Sequence, residues 1–370
     1  MNSFSPLRYP GGKTKIMDLM KRLVSCNFKG NKPAFVEPYA GGAGIALGLL
    51  LDDYVSEIHI NDLDKAIYWF WRCVIDHSKE FIKKIRKIDV TLEEWYRQKE
   101  IYGRSKEGFD LGFAAFFLNR CNHSGIIAGG CIGGLAQGGK YKIDCRFNKD
   151  SLIERIKRVS AVREKISLYN EDAAKLLTDN QEKFKDCLLY LDPPYFEAGR
   201  KLYRNHYNTF DHENISKIMR KFSGCWIISY DNNPFIVNLY KDFAHPHYFG
   251  LAYSANSIKE GKEVMLFSKQ IKHTPDKLMF TIAASSISAD KQNSADRREG
   301  VIVMGKIDQT ISNLQKLYAK RNSLDKQIAD AEKKLIAEAK SSASGPAPKP
   351  KKTAVKKPAA KKPSKPLLKK

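Results

Sequence analysis

Four residues in the middle of the chain concentrate the most chemistry in the least space. Leu188 to Leu191 read as a short apolar strand, and the strand stops in Asp192-Pro193-Pro194-Tyr195. Two prolines fix φ and remove two N–H donors, so the carbonyls ahead of them are rigidly aimed at the end of the strand. A carboxylate, a fixed carbonyl and an aromatic ring then stand together. Asp192 and the Pro193 carbonyl suit the two hydrogens of an exocyclic amine on a planar base, and Tyr195 suits stacking on its ring. The plainer reading is a strand ending in a proline turn beside a capping Asp.

Two more clusters share this character. Phe35 to Gly44 (FVEPYAGGAG) runs from a strand through small residues into a helix, an arrangement that lets backbone approach a nucleotide-like ligand closely. It has neither the GxGxxG spacing of a dinucleotide site nor the GK[ST] of a P-loop. The next strand, Glu57 to Asn61, runs into Asp62, the place from which such folds grip ribose hydroxyls; Asp62 also reads as the N-cap of the following helix. Near the start, Arg8-Tyr9-Pro10-Gly11-Gly12-Lys13 sets an aromatic ring and a lysine around a tight turn, where Tyr9 and Lys13 could hold one end of a ligand.

Placing these residues requires alternating strands and helices. Strand-like runs fall at 34–39, 57–61, 166–170, 187–192, 225–230 and 263–268, separated by amphipathic stretches at 13–25, 44–51, 62–76, 150–164, 211–222 and 233–240. That alternation predicts an α/β, doubly wound, mainly parallel sheet that binds ligands at the carboxyl ends of its strands. Between 76 and 163 it lapses into helices (92–102, 109–119) and a glycine-rich run, 124–148, read as an inserted subdomain ending in a hairpin. Residues 271–300 read as a linker. Apolar residues at three-and-four spacing over 307–339 predict a helix within 301–340, packed on the domain or self-associating through a short coiled coil. Residues 341–370, built of Lys, Ala, Pro and Ser, are expected to be disordered.

Charge narrows the function. The net charge is +23, and ten lysines without one acid lie in 346–370. A field of that sign favours nucleic acid or an anionic surface. The longest apolar run, Ile45 to Leu51, is far short of the roughly 18 residues of a membrane span. The first residues lack the pattern of a secretory signal, so a cytoplasmic location is expected, nuclear only in a host with a nucleus. Seven scattered cysteines without a CxxC pair read as reduced thiols, not as a disulfide framework or a zinc site.

In its motifs and their order the chain resembles the Dam-like class of DNA adenine-N6 methyltransferases. Arg8 to Lys13 matches the N-terminal cofactor motif, Phe35 to Gly44 motif I, Asn61-Asp62 motif II and Asp192 to Tyr195 motif IV. Asn119-Arg120 with Ser124-Gly125, Arg146-Phe147-Asn148, Tyr207 to His212, Ser229-Tyr230-Asp231 and Glu263 to Phe267 add to the series. The resemblance implies a seven-stranded Rossmann-like methyltransferase sheet, formed by 1–75 and 164–270, with 76–163 as the target-recognition insertion. It implies S-adenosylmethionine as methyl donor, no metal, and double-stranded DNA as partner. Cofactor contacts carry over to Tyr9, Lys13, Glu37, Gly41, Gly42, Asp62 and Asp192, and catalysis to Asp192, Pro193 and Tyr195. DNA contacts carry over to Arg120, Asn122, Ser124, Gln137, Lys140 and Arg146. Tyr9 stands where some members have Trp, which keeps the aromatic face.

The chemistry so implied is attack by N6 of an extruded adenine on the sulfonium methyl. N4-cytosine methylation is the nearest rival, although such enzymes usually carry Ser-Pro-Pro-Tyr where Asp192-Pro193-Pro194-Tyr195 stands. A non-catalytic DNA-binding protein on a degenerate methylase fold is a rival of another class. Neither the recognition sequence nor the biological setting is readable.

Overall fold

The computed structural model describes residues 4–8, 13–196, 207–252 and 260–274. Tyr9 and the Gly11-Gly12 turn, most of 271–300, the helix expected within 301–340 with its self-association over 307–339, and the tail 341–370 lie outside the described residues.

Seven strands form one sheet: β1 (Phe35–Glu37), β2 (Ile58–Asn61), β3 (Ile166–Tyr169), β4 (Leu188–Leu191), β5 (Cys225–Asp231), β6 (Ala244–Ala252) and β7 (Glu260–Ser268). Their order is β3-β2-β1-β4-β5-β7-β6. β1 to β5 pair in parallel, and β7 runs antiparallel between β5 and β6. This is the Rossmann-like methyltransferase sheet. β6 left no strand-like signal in the sequence, because Pro246 and flanking histidines interrupt it. Such a strand is tolerated at a sheet edge, where one side needs no ladder donors, and β6 is an edge.

The middle strands are apolar throughout because both faces are covered. Phe35, Leu188, Tyr190, Ile227, Met265 and Phe267 point into one apolar cluster. Their neighbours Val36, Leu189, Leu191, Trp226, Ile228 and Leu266 point into the other. The first cluster takes helices α1 (Met17–Phe28), α2 (Gly44–Leu51) and α3 (Lys65–Asp76). The second takes the helices Ala173–Asp179, Thr209–Lys221 and Pro234–Tyr240.

Residues 76–163 contribute α4 (Ser78–Lys87), α5 (Leu92–Arg104), α6 (Phe109–Cys121) and α7 (Lys149–Ala161). These helices do not form a core of their own. Phe81, Trp95, Phe113, Phe116, Phe117 and Ile156 join the same cluster as the strand residues Phe35 and Leu188. Phe70 of α3 stacks on Phe116 of α6 at 5.8 Å. Gly112 makes the close crossing possible, since a Cβ there would lie 2.5 Å from the Trp69 carbonyl. The loops that follow α6 are therefore tied to the sheet through packed aromatics worth roughly 1.5–3 kcal/mol each.

The hairpin expected in 124–148 does not form. One antiparallel bridge, Asn122 with Cys131, stands alone among turns. Gly133, Gly134 and Gln137 all take positive φ, which breaks any extended run. The Gln137 side chain substitutes for a ladder, donating to the Ile132 carbonyl and accepting from the Ile143 N–H, both at 2.9 Å.

Candidate active site

The strand order reverses between β1 and β4, so the connections leaving their carboxyl ends diverge and leave a crevice. A cavity of about 460 Å³ occupies it, lined by Lys13, Glu37, Asp62, Asp192, Pro194 and Tyr207 among others. That size is ordinary for a small-molecule site.

At the β4 end, Asp192 follows directly on the buried Leu191 and keeps 24% of its side chain exposed. Its orientation is over-determined. Ser229 on β5 donates to Asp192 Oδ1 at 2.6 Å. The Ser229 hydroxyl proton is thereby committed, so Tyr190 must donate to Ser229 Oγ across their 3.0 Å contact. Lys13 Nζ lies 3.4 Å from the same Asp192 oxygen and 3.5 Å from Glu263 Oε2. Burial pushes the Glu263 carboxyl up, and the Lys13 charge opposes that push. The sequence reading named Asp192 and Lys13 but gave no role to Ser229, Tyr190 or Glu263. Ser229 and Glu263 stand in the motif series without a role, and their contacts depend on the pairing of β4, β5 and β7, which a linear sequence does not display.

Tyr195 stands against Lys13. The Tyr195 ring lies under the Lys13 ammonium at 4.6 Å, and its hydroxyl accepts from Lys13 Nζ. Pro193 is buried. Asp192 and Pro194 line the cavity, whereas Tyr195 and Pro193 do not. The buried Lys13–Glu263 pair draws the Tyr195 phenol towards it. Burial, then the Asp192 charge, push that phenol well above its usual range, so it stays protonated.

At the β1 end, the small residues do what their types allow. Gly41 takes φ 46°, and Ala43 takes φ 47° as it opens α2. Asp62 holds this turn: Oδ2 accepts from Gly41 N–H and Oδ1 from Asp64 N–H, both at 2.9 Å. Trp71 Nε1 donates to the Gly41 carbonyl at 2.9 Å. The N-cap of α3 is Asp64, which accepts from Ala66 N–H, so Asp62 is not that cap. Asn61 ties three strand ends together through the Pro38 carbonyl and both backbone groups of Glu171. Burial pushes the Asp62 carboxyl up to about 7 against its two N–H bonds. Burial also raises Glu37 to about 8, although its carboxyl accepts from Ala46 N–H at 3.2 Å. Gly42 lines the cavity with Glu37 and Asp62, whereas Gly41 faces Asp62 and Trp71.

The residues expected to touch DNA divide. Asn122 is fully buried and spent internally: it accepts from Trp95 Nε1 and donates to the Ile126 and Ile127 carbonyls. Gln137 braces its own loop. These two organise the loop. Arg120 is 9% exposed, donates to the Arg146 carbonyl and still lines the cavity. Ser124, Lys140 and Arg146 are exposed around a second cavity of about 390 Å³ with Tyr141 and Arg8. Gly125, at φ 77°, lets this loop meet the N-terminal segment, since a Cβ there would lie 2.4 Å from the Arg8 carbonyl.

The sheet order, the cavity at its reversal and the Asp-Pro-Pro-Tyr at its edge agree with one family profile. The profile of the D12 class N6 adenine-specific DNA methyltransferases matches residues 9–252. The chain belongs to this family. The matched span of this D12-class chain holds Lys13, Glu37, Asp62, Asp192 and Ser229. The Type II methyltransferase M.MjaIII of Methanocaldococcus jannaschii is 22% identical over 227 residues, covering 57% of this chain and 76% of the relative. Among solved structures, an S-adenosylmethionine-dependent methyltransferase from Agrobacterium tumefaciens matches at TM-score 0.35 and 8% identity, over 70% of this chain and 62% of its own. The rRNA methyltransferase aviRa from Streptomyces viridochromogenes matches at TM-score 0.28 and 10% identity, over 68% and 86%. Similarity at that level adds nothing to the fold read from the sheet itself. Among the described residues, no helix is long and apolar enough to cross a membrane.

Proposed function

We propose that this D12-class chain methylates N6 of an adenine turned out of duplex DNA, using S-adenosylmethionine. The observation that carries the reading is the carboxylate of Asp192, held by Ser229 and Lys13 in a cavity that Glu37 and Asp62 also line. The donor would supply an activated methyl group on a sulfonium; as N6 bonds to that methyl the carbon–sulfur bond breaks, the neutral thioether leaves, and N6 sheds one of its two protons to solvent. The donor's ribose hydroxyls suit Asp62, whose oxygens each keep an acceptor position after the two N–H bonds, and the small residues after β1 admit close approach.

Asp192 does the work on the acceptor. Adenine N6 is a poor nucleophile because its lone pair is delocalised into the ring. A hydrogen bond from N6 to the carboxylate favours the geometry in which that lone pair is free, and stabilises the positive charge growing on nitrogen. Holding base and donor in one crevice removes most of the entropic cost of their encounter. Unpairing the base costs a few kcal/mol. Tyr195 recovers part of this by stacking once its ring leaves Lys13, base–aromatic stacking being worth about 1–3 kcal/mol.

Asp192→Ala is expected to abolish transfer while the protein stays folded. Sequencing of modified bases in DNA from methylation-free cells expressing wild type or variant gives both the modified base and its context. Equal N6-methyladenine in the two samples would sink the mechanism.

A further inference from the structure

Three arginines line the same cavity as Asp62 and Asp192. Arg8, Arg120 and Arg155 all line the cavity, and none forms an ion pair with a carboxylate among the described residues. Each is tethered instead by a backbone carbonyl. Arg8 Nη1 donates to Asn122 at 3.0 Å, Arg120 Nε to Arg146 at 2.7 Å and Arg155 Nη1 to Ser5 at 3.1 Å. Carbonyls fix the direction of a guanidinium but do not neutralise it. Arg120, only 9% exposed, is pushed down to about 9 first by burial and then by the charges of Arg8, Arg155 and Arg146. Like charges gathered half-buried with no ion-paired acid are costly, and an anionic ligand removes the cost.

Their position says which anion. Arg8 and Ser124 line both the donor cavity and the second cavity, where Arg146 and Lys140 flank the exposed Tyr141. Arg8 is thus common to the basic cavity of the glycine-rich loop and to the cavity of Asp192. One amino-acid carboxylate would answer a single guanidinium pair, whereas a nucleic-acid strand brings a charge at every link. We propose that Arg8, Arg120 and Arg155 form a cradle for the phosphodiester links flanking the extruded adenosine, holding the turned-out backbone while the base faces Asp192. The inference rests on the DNA-methylating reading and adds the residues that would hold the flipped strand.

Arg155→Gln is the informative variant, because Arg155 is partly exposed on α7 and contacts no residue placed in catalysis. The full chain, wild type and variant, is titrated with a duplex carrying the motif that modified-base sequencing returns, across a range of salt. The variant should bind about tenfold more weakly, with a log–log salt slope shallower by about 0.9, the value for one lost phosphate contact. A duplex with a neutral methylphosphonate on one side of the target adenine should erase the difference between the two proteins. S-adenosylmethionine affinity should stay within about twofold, and Arg155→Lys should restore most of the slope. A tenfold loss of donor affinity with unchanged DNA binding would assign the arginines to the donor carboxylate and overturn the cradle. An equal loss on charged and neutral duplexes would overturn it as well, leaving a structural role. If the wild type transfers no methyl group to any DNA, the failure lies in the activity reading and not in the cradle.

Discussion

Replacing Ser229 by alanine tests whether the chain positions Asp192 or merely contains it. Ser229 is buried, does not line the cavity, and touches the reaction only through its 2.6 Å bond to Asp192 Oδ1. A hydrogen bond to a charged group contributes about 1.5–3 kcal/mol. After the substitution Asp192 keeps, among the described residues, Lys13, which at 3.4 Å is an ion contact through a flexible stem. With one decade of rate per about 1.4 kcal/mol, methyl transfer in a single turnover should slow by about 10- to 100-fold. The Tyr190 hydroxyl, fully buried, loses its acceptor, so stability should fall by a further 1–3 kcal/mol or so. Tyr190→Phe separates the two effects, because it leaves the Ser229–Asp192 bond in place and should slow transfer by only a fewfold. The assay is transfer of labelled methyl with enzyme in excess over duplex, beside equilibrium binding of the donor. Donor affinity should change little, since Ser229 is remote from Asp62. A single-turnover rate for Ser229→Ala within twofold of wild type would refute the positioning argument, as would a loss confined to donor affinity.

Two further outcomes follow from the buried carboxyls. If Asp62 grips ribose hydroxyls as a carboxylate, its position at about 7 means that donor affinity is full above that pH and lost as pH falls through it. Between pH 8 and pH 6 the dissociation constant should rise by about tenfold, whereas Asp62→Asn should bind weakly with a flat profile; isothermal titration at the two pH values decides. Glu37 contributes with the opposite sign. Its folded value, about 8, lies above the ordinary 4.5, so the native state holds a proton that the unfolded state releases. Stability is therefore full below about pH 4.5 and declines as pH rises to about 8, by at most about 5 kcal/mol. Glu37→Gln should lessen that decline in urea unfolding at pH 5.5 and 8.5 without donor, leaving the share of the raised Asp62 carboxyl, and an unchanged pH slope would count against the buried-carboxyl account.

The motif residues and the strands that carry them were legible in the sequence because both are local. Asp192-Pro193-Pro194-Tyr195 ends a run that is apolar at every position, and only a central parallel strand needs that. Helix α2 was readable to its end residues, Gly44–Leu51. The short helices Ala173–Asp179 and Gln181–Phe184 were not, since one or two turns leave little periodicity. β6 and the loop 124–148 were misread for related reasons: the first is held only by its edge pairing with β7, and the second by a glutamine side chain in place of a ladder.

By itself the sequence determined the family's motifs, the alternation that builds the sheet and the carboxylates at its edge, each written in neighbouring residues. Tertiary structure alone decided that Ser229, from a strand 37 residues away, orients Asp192. It also decided that Lys13 joins Asp192 to Glu263, that Asn122 faces inward, and that arginines from the N-terminus, α6 and α7 line one cavity. Those relations come from strand order and helix packing. Charge and hydrogen bonding act through distance in space, which the spacing of residues along the chain does not specify.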